Sequence, residues 1–148
     1  MSTRCHVEIV DYYDDVKRPR PDGEGCILLY HHSDGYPEFQ MPKIKAFLEG
    51  AAQILIEKRW WDDERVAAYF VAWSAEAYAK PSFGVDESGD DNTGFPTYQP
   101  AACIHGDVVF HYVVELRGND EARISAYDIL DGLLMETEST GWVSYNPD

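Results

Sequence analysis

The stretch VVFHYVVELRGNDEARISAYDIL, Val108–Leu130, has the pattern of two β-strands joined by a tight turn. The first strand, Val108–Leu116, alternates between an apolar face and a mixed face that carries His111 and Glu115. The turn follows at Gly-Asn-Asp (118–120), residue types that favour hairpin turns. A strand with one apolar face and one mixed face is typical of a central position in a sheet, with helices on the apolar side. We therefore expect the second face, with His111 and Glu115, to be available to a partner.

Two strands are predicted near the start of the chain. CHVEIVDYY (Cys5–Tyr13) and CILLYHH (Cys26–His32) are rich in strand-forming residues. The loop between them, Lys17–Gly25, holds several prolines and glycines, and it also forms the one basic cluster of the sequence. This order of strand, turn-rich loop and strand predicts an antiparallel hairpin.

Further turns are predicted in the last third of the chain. His-Gly-Asp (105–107) has the composition of a hairpin turn, and LDGLLME (130–136) predicts a final hairpin. The remaining residues, TGWVSYNPD (140–148), are predicted to form a short tail.

Two helices are predicted between these strand regions. Pro42 suits a first helical turn, and apolar residues then recur at helical spacing from Ile44 to Leu55. The second helix begins after Arg-Trp-Trp, where Asp62 or Asp63 can cap it, and ends at Pro81. A long polar segment follows, from Ser82 to Pro100. It carries four acidic residues: Asp86, Glu87, Asp90 and Asp91. Their order does not match the ligand positions of an EF-hand loop.

The order of these elements predicts an α+β fold. We expect a mostly antiparallel sheet of about five strands with two helices packed on one face. Residues 1–148 are predicted to form a single domain, with a mobile acidic loop around 82–100 and a short C-terminal tail.

Composition limits the classes of partner. The chain has 12 basic and 27 acidic residues, a formal net charge of −15, which opposes direct binding to nucleic acid or to anionic membranes. A basic protein surface is the expected partner. The sequence has no membrane-length apolar run and no signal-peptide core, and its three cysteines are scattered, so we expect a cytoplasmic protein with reduced thiols.

The segment YHHSDGYPE (Tyr30–Glu38) concentrates the side chains most suited to chemistry. In an extended chain, His32 and Asp34 share one side, so the carboxylate could orient the imidazole. Asp34-Gly35 favours a tight turn, and Pro37 favours an extended backbone at Tyr36. The segment resembles a Y-x-H-x-D-G-Y-P motif of small uncharacterised proteins from phages, prophages and their microbial hosts. The resemblance rests on six residues: Tyr30, His32, Asp34, Gly35, Tyr36 and Pro37. It implies a mobile-element setting and carries no activity with it.

Three interpretations of this motif remain open. Asp34 can serve its own turn, the tyrosines and His32 can form a contact site, or His32 and Asp34 can act in catalysis. A metal site would draw on side chains whose spacing matches no known motif: His31 or His32, Asp34, Cys103, His105, His111 and Glu115. No cofactor is predicted.

The sequence predicts an acidic interaction protein. The charge, together with the mobile-element setting that the resemblance implies, predicts a phage-type inhibitor of the anti-CRISPR or other anti-defence kind. It would occlude a basic nucleic-acid-binding surface of a host protein or nucleoprotein complex in the host cytoplasm. The predicted contact residues are acidic: Asp62, Asp63, Glu64, Asp86, Glu87, Asp90 and Asp91. The alternative is a small metal- or nucleotide-dependent enzyme, or a ligand sensor, that uses His32 and Asp34.

Overall fold

The computed structural model describes residues 3–12, 27–32, 34–78, 98–103 and 105–146. They form two helices and a seven-stranded mixed sheet, an α+β architecture as predicted. The helices are α1 (Pro37–Glu57) and α2 (Asp63–Tyr78). The strands are β1 (Cys5–Tyr12), β2 (Ile27–His31), β3 (Tyr98–Pro100), β4 (Phe110–Arg117), β5 (Glu121–Leu130), β6 (Leu133–Ser139) and β7 (Val143–Ser144).

The sheet has the order β3-β2-β1-β4-β5-β6, and the short β7 also pairs with β5. The strands β1 and β4 lie side by side at its centre and run parallel, with Cys5 opposite Phe110. All other strand pairs are antiparallel, including the predicted β1–β2 and β4–β5 hairpins. A mostly antiparallel sheet is therefore found, with one parallel pair that alternation within a single strand does not reveal.

Two strands account for the difference between seven strands and the predicted five. The strand β3 lies at the end of the segment predicted as a loop, and it pairs with β2 at the sheet edge. The His-Gly-Asp turn (105–107) lies between β3 and β4, which are not neighbours in the sheet. Its prediction as a hairpin turn was therefore wrong. The strand β7 lies within the predicted tail and pairs with Glu121 and Ala122 of β5.

Both helices pack on one face of the sheet. Alternate residues of β1 and β4 lie in the same register on that face, among them Val7 opposite Tyr112 and Ile9 opposite Val114. These side chains join the buried faces of α1 and α2 in one apolar core, in which Phe47 contacts Phe70. We call this the helix face of the sheet and the other side the open face.

The first helix begins five residues before the predicted Pro42. Tyr36 is its N-cap, with φ −65° and ψ 145°, and Pro37 stands in the first turn. The extended backbone predicted at Tyr36 is therefore confirmed. Pro42 is the sixth residue of the helix and not in its first turn as predicted, so it removes the one intrahelical bond that an N–H at this position would donate to the carbonyl of Glu38.

Neither α1 nor α2, the helices in the described part of the chain, is both long and apolar enough to cross a membrane. The predicted mobile acidic loop lies largely outside the described residues, which resume at Tyr98.

Candidate functional site

The Asp-Gly-Tyr-Pro turn is built into the fold through its backbone. The N–H of Gly35 donates to the carbonyl of Thr3 at 2.9 Å, and the hydroxyl of Tyr112 donates to the carbonyl of Gly35. A Cβ at position 35 would lie 2.9 Å from that Thr3 oxygen and 3.0 Å from the Cβ of Cys5. Only glycine fits this approach to β1, so the turn fixes where α1 starts relative to the sheet.

The two residues proposed as an acid–base pair do not bond to each other. His32 and Asp34 are both exposed, and Asp34 has a left-handed φ of 54°. Nδ1 of His32 lies 3.0 Å from the hydroxyl of Tyr30, and it accepts from Nε of Arg4 at 3.3 Å. The carbonyl of Asp34 accepts from the side-chain amide of Gln40 at 2.7 Å. The motif thus supplies backbone contacts, and the contact considered as one alternative, between the His32 imidazole and the Asp34 carboxylate, is not among the hydrogen bonds of the described residues.

A different set of histidines comes together on the open face. His6 of β1 lies beside His111 of β4, with ring centroids 6.0 Å apart, because the two residues are in register. His105, in the segment before β4, lies 5.6 Å from His6, and its ring stacks on Tyr30 at 4.1 Å. We call His6, His105, His111 and Tyr30 the histidine cluster.

His6 is neutral in this environment. Its side chain is 1% exposed, and its Nε2 accepts the backbone N–H of His105 at 3.3 Å. Nδ1 therefore carries the ring proton, and among the described residues this buried atom has no hydrogen-bond partner. Burial is the main cause that lowers the pKa of His6 to about 4; His111 and His105 lower it further, against the opposing charges of Asp107 and Glu8.

The acidic side chains that β1 and β4 place on the open face, Glu8 and Glu115, are paired. Nε2 of His111 lies 3.0 Å from Oε1 of Glu8, and both side chains are buried. Glu115 accepts two hydrogen bonds from the guanidinium of Arg123, whose plane also lies over the ring of Trp142. The face expected to receive a partner therefore encloses His111 and Glu115 within the protein.

No three His, Cys, Asp or Glu side chains in the described ranges are placed to hold a metal ion. Cys103 is exposed, whereas His111 and Glu115 are buried. The possible ligands considered above are therefore not brought to one point.

The acidic residues at the start of α2 have structural roles. The carboxylate of Asp62 accepts the N–H of Arg65 at 2.9 Å and pairs with its guanidinium, which caps the helix as predicted. Asp63 is 3% exposed and its carboxylate accepts the N–H of Glu64, so burial removes it from any contact surface. Glu64 is exposed. The other predicted contact residues lie outside the described residues: Asp86, Glu87, Asp90 and Asp91.

The β5–β6 hairpin, Ile129–Ser139, is the most exposed apolar part of the described chain. All seven residues of β6 are exposed, including Leu133 at 70% and Met135 at 54%. Asp131 and Gly132 form the tight turn, with φ of 51° and 77°, which confirms the hairpin predicted from Asp-Gly.

The hairpin is also acidic without any basic residue. No lysine, arginine or histidine follows Arg123 in the sequence. Four carboxylates lie on or beside the hairpin: Asp128, Asp131, Glu136 and Glu138. None of them takes part in the ion pairs found among the described residues. The sequence reasoning recognised the hairpin but missed its surface, although an apolar triplet followed by Glu-Thr-Glu was a visible signal.

A scan of protein-family models, a search of curated proteins and a search of solved structures each found no match to this chain.

Proposed function

We propose that this protein is an acidic interaction protein that binds a basic protein surface through its β5–β6 hairpin. The observation that carries the proposal is the composition of the hairpin surface, which combines exposed leucine and methionine side chains with carboxylates that form no ion pair among the described residues. Apolar exposure of this kind marks contact sites, and the carboxylates favour a partner of opposite charge.

The proposed surface differs from the one expected from the sequence. Asp62 and Glu64 lie near the start of β5, where Nε1 of Trp61 donates to the carbonyl of Glu121. The hairpin turn lies at the other end of β5, about 30 Å away at 3.3 Å per residue. Glu64 can therefore add to the attractive field at long range, while direct contact is assigned to the hairpin.

The resemblance of the Tyr30–Glu38 motif to phage and prophage proteins favours a host protein as the partner. A basic surface on a host protein most often serves nucleic-acid binding, so an acidic protein bound there would exclude the nucleic acid. We include such occlusion, of the anti-CRISPR or other anti-defence type, in the proposal.

The test is capture of proteins from a lysate of the native host on the immobilised protein. The double variant Glu136→Gln/Glu138→Gln removes two charges from β6, and Glu49→Gln/Glu57→Gln removes two exposed charges from α1 as a matched control. We expect basic proteins to be captured at about 0.01 M salt and released near 1 M, because the screening length falls from about 30 Å to about 3 Å. The β6 variant should lose them and the α1 variant should keep them. Capture of no basic protein, or equal capture by both variants, would contradict the proposal.

A further inference from the structure

We infer that the free edge of β6 binds an extended segment of the partner as an added β-strand, apolar in one half and basic in the other. This inference rests on the proposed function and specifies the mode of binding and the chemistry of the bound segment.

Within the part of the chain that the structure describes, β6 is the last strand on its side of the sheet, which leaves its outer edge available. In a hairpin with a two-residue turn, the residues flanking the turn exchange hydrogen bonds, and the next pair points its amides outward. Leu130 and Leu133 flank the turn, and Ile129 faces Leu134. The N–H of Ile129 donates to the carbonyl of Val109, on the side away from β6. The amide of Leu134 therefore points away from β5, as does that of Glu136 two residues later.

The edge lacks most of the devices that prevent strand addition. Natural edge strands are commonly protected by lysine, proline or a bulge. In β6 the irregularity lies beyond Glu136, where the hydroxyl of Thr137 donates to the carbonyl of Ala126. The residues Leu133–Glu136 precede it and remain in regular register with β5.

The side chains of β6 specify the occupant. Leu133, Leu134 and Met135 occupy the half next to the turn, and Glu136 and Glu138 occupy the other half. The irregularity at Thr137 places Glu136 opposite Tyr127 and Glu138 opposite Ala126, neighbouring β5 residues that point to opposite faces. Both faces of an added strand therefore meet apolar side chains in one half and one carboxylate in the other. A second copy of this chain would bring another acidic edge strand and a further net charge of −15 to the same edge. Charge complementarity therefore selects a basic segment of a different protein.

The experiment measures binding of a fluorescent peptide as long as β6, with three aliphatic residues followed by Lys-Thr-Lys-Thr, in both chain directions. A second peptide carries N-methyl groups on the amides of its aliphatic half and keeps the same side chains and charge. We expect N-methylation to weaken binding at least about tenfold, since it removes backbone hydrogen bonds.

Two variants of the protein test the same backbone hydrogen bonds by changing β6 instead of the peptide. Leu134→Pro removes the outward N–H at an edge position that tolerates proline, and Leu134→Val is the matched control that keeps it. We expect about a tenfold loss for the proline variant only, with circular dichroism confirming the fold of both. If Leu134→Pro fails to fold, the N-methylated peptide still decides the outcome.

The results separate this inference from the proposed function. Equal binding of the two peptides, with loss on Glu136→Gln/Glu138→Gln, would overturn strand addition and retain acidic recognition. No peptide binding at low salt, together with no basic protein captured from the host lysate, would overturn both. A dimer in sedimentation equilibrium that Leu134→Pro abolishes would overturn the inference in favour of a second copy.

Discussion

The open face at the histidine cluster and the β5–β6 hairpin use polar residues in opposite ways. At the cluster, the carboxylate of Glu8 pairs with His111, and the backbone N–H of His105 donates a hydrogen bond to Nε2 of His6. At the hairpin, Glu136 and Glu138 are exposed beside leucine and methionine. Buried polar groups are mostly paired within a protein, whereas exposed carboxylates that form no ion pair among the described residues are available to another molecule. The comparison favours the hairpin as the proposed contact site, although the cluster holds the chemically more reactive side chains.

The pH dependence of stability provides the largest expected difference between the regions. The pKa of His6 is about 4 in the folded protein and about 6.5 when unfolded, so the unfolded state binds more protons between these values. The free energy of unfolding should therefore decrease as pH falls from about 6.5 to about 4, by about 3 kcal/mol from this group. In the variant His6→Phe, the free energy of unfolding, measured by urea titration at each pH, should lack this contribution of about 3 kcal/mol to the decrease. His32→Gln, at an exposed histidine, should keep it, and identical profiles for wild type and His6→Phe would contradict the assignment.

Alanine substitutions at two glycines test how closely the backbone packs at the Asp-Gly-Tyr-Pro turn and at the hairpin turn. Gly35→Ala forces a Cβ against the backbone of β1 and should cost about 3 kcal/mol in the free energy of unfolding. Gly132→Ala, in the hairpin turn, meets no atom within 4 Å and only strains a left-handed φ of 77°, which costs about 1 kcal/mol. Chemical denaturation of both variants checks the order, and an equal cost would show that the Asp-Gly-Tyr-Pro turn can move away from β1.

The same substitution in the two regions should give different costs. Glu115→Gln leaves Arg123 without its charged partner and should lower the free energy of unfolding by about 2 kcal/mol, because Arg123 remains partly hydrated. Glu136→Gln, at an exposed position, should change it by less than about 0.5 kcal/mol. Thermal unfolding of the two single variants measures the difference, and a large loss at Glu136 would indicate that it has an internal partner.

The smallest expected effect on stability is at the hairpin tip. Leu133→Ser and Met135→Ser should each change the free energy of unfolding by less than about 0.5 kcal/mol, since both side chains are already exposed. Both should weaken binding of the aliphatic–lysine peptide, measured by fluorescence anisotropy. A clear loss of stability would mean that these residues serve the fold.

The sequence predicted local structure better than the site. Alternation placed β4 within two residues of its observed bounds and put His111 and Glu115 on the face opposite the helices, and Asp-Gly placed the β5–β6 turn. The histidine cluster could not be predicted, because it depends on β1 lying parallel to β4 in a register that brings His6 beside His111. No pattern within either strand encodes that register. The pairing of His32 with Arg4 follows instead from the β1–β2 register, in which Cys5 lies opposite His31.

The parallel pairing of β1 with β4 also determines when the protein can fold during synthesis. Cys5 and Phe110 are about a hundred residues apart in the chain, so the centre of the sheet cannot close until β4 has left the ribosome. Until then β1 has β2 as its paired neighbour on one side and an unpaired edge on the other. The hairpins β4–β5 and β5–β6 are local in sequence and can form as soon as they emerge, which gives β1 a ready surface on which to complete the sheet.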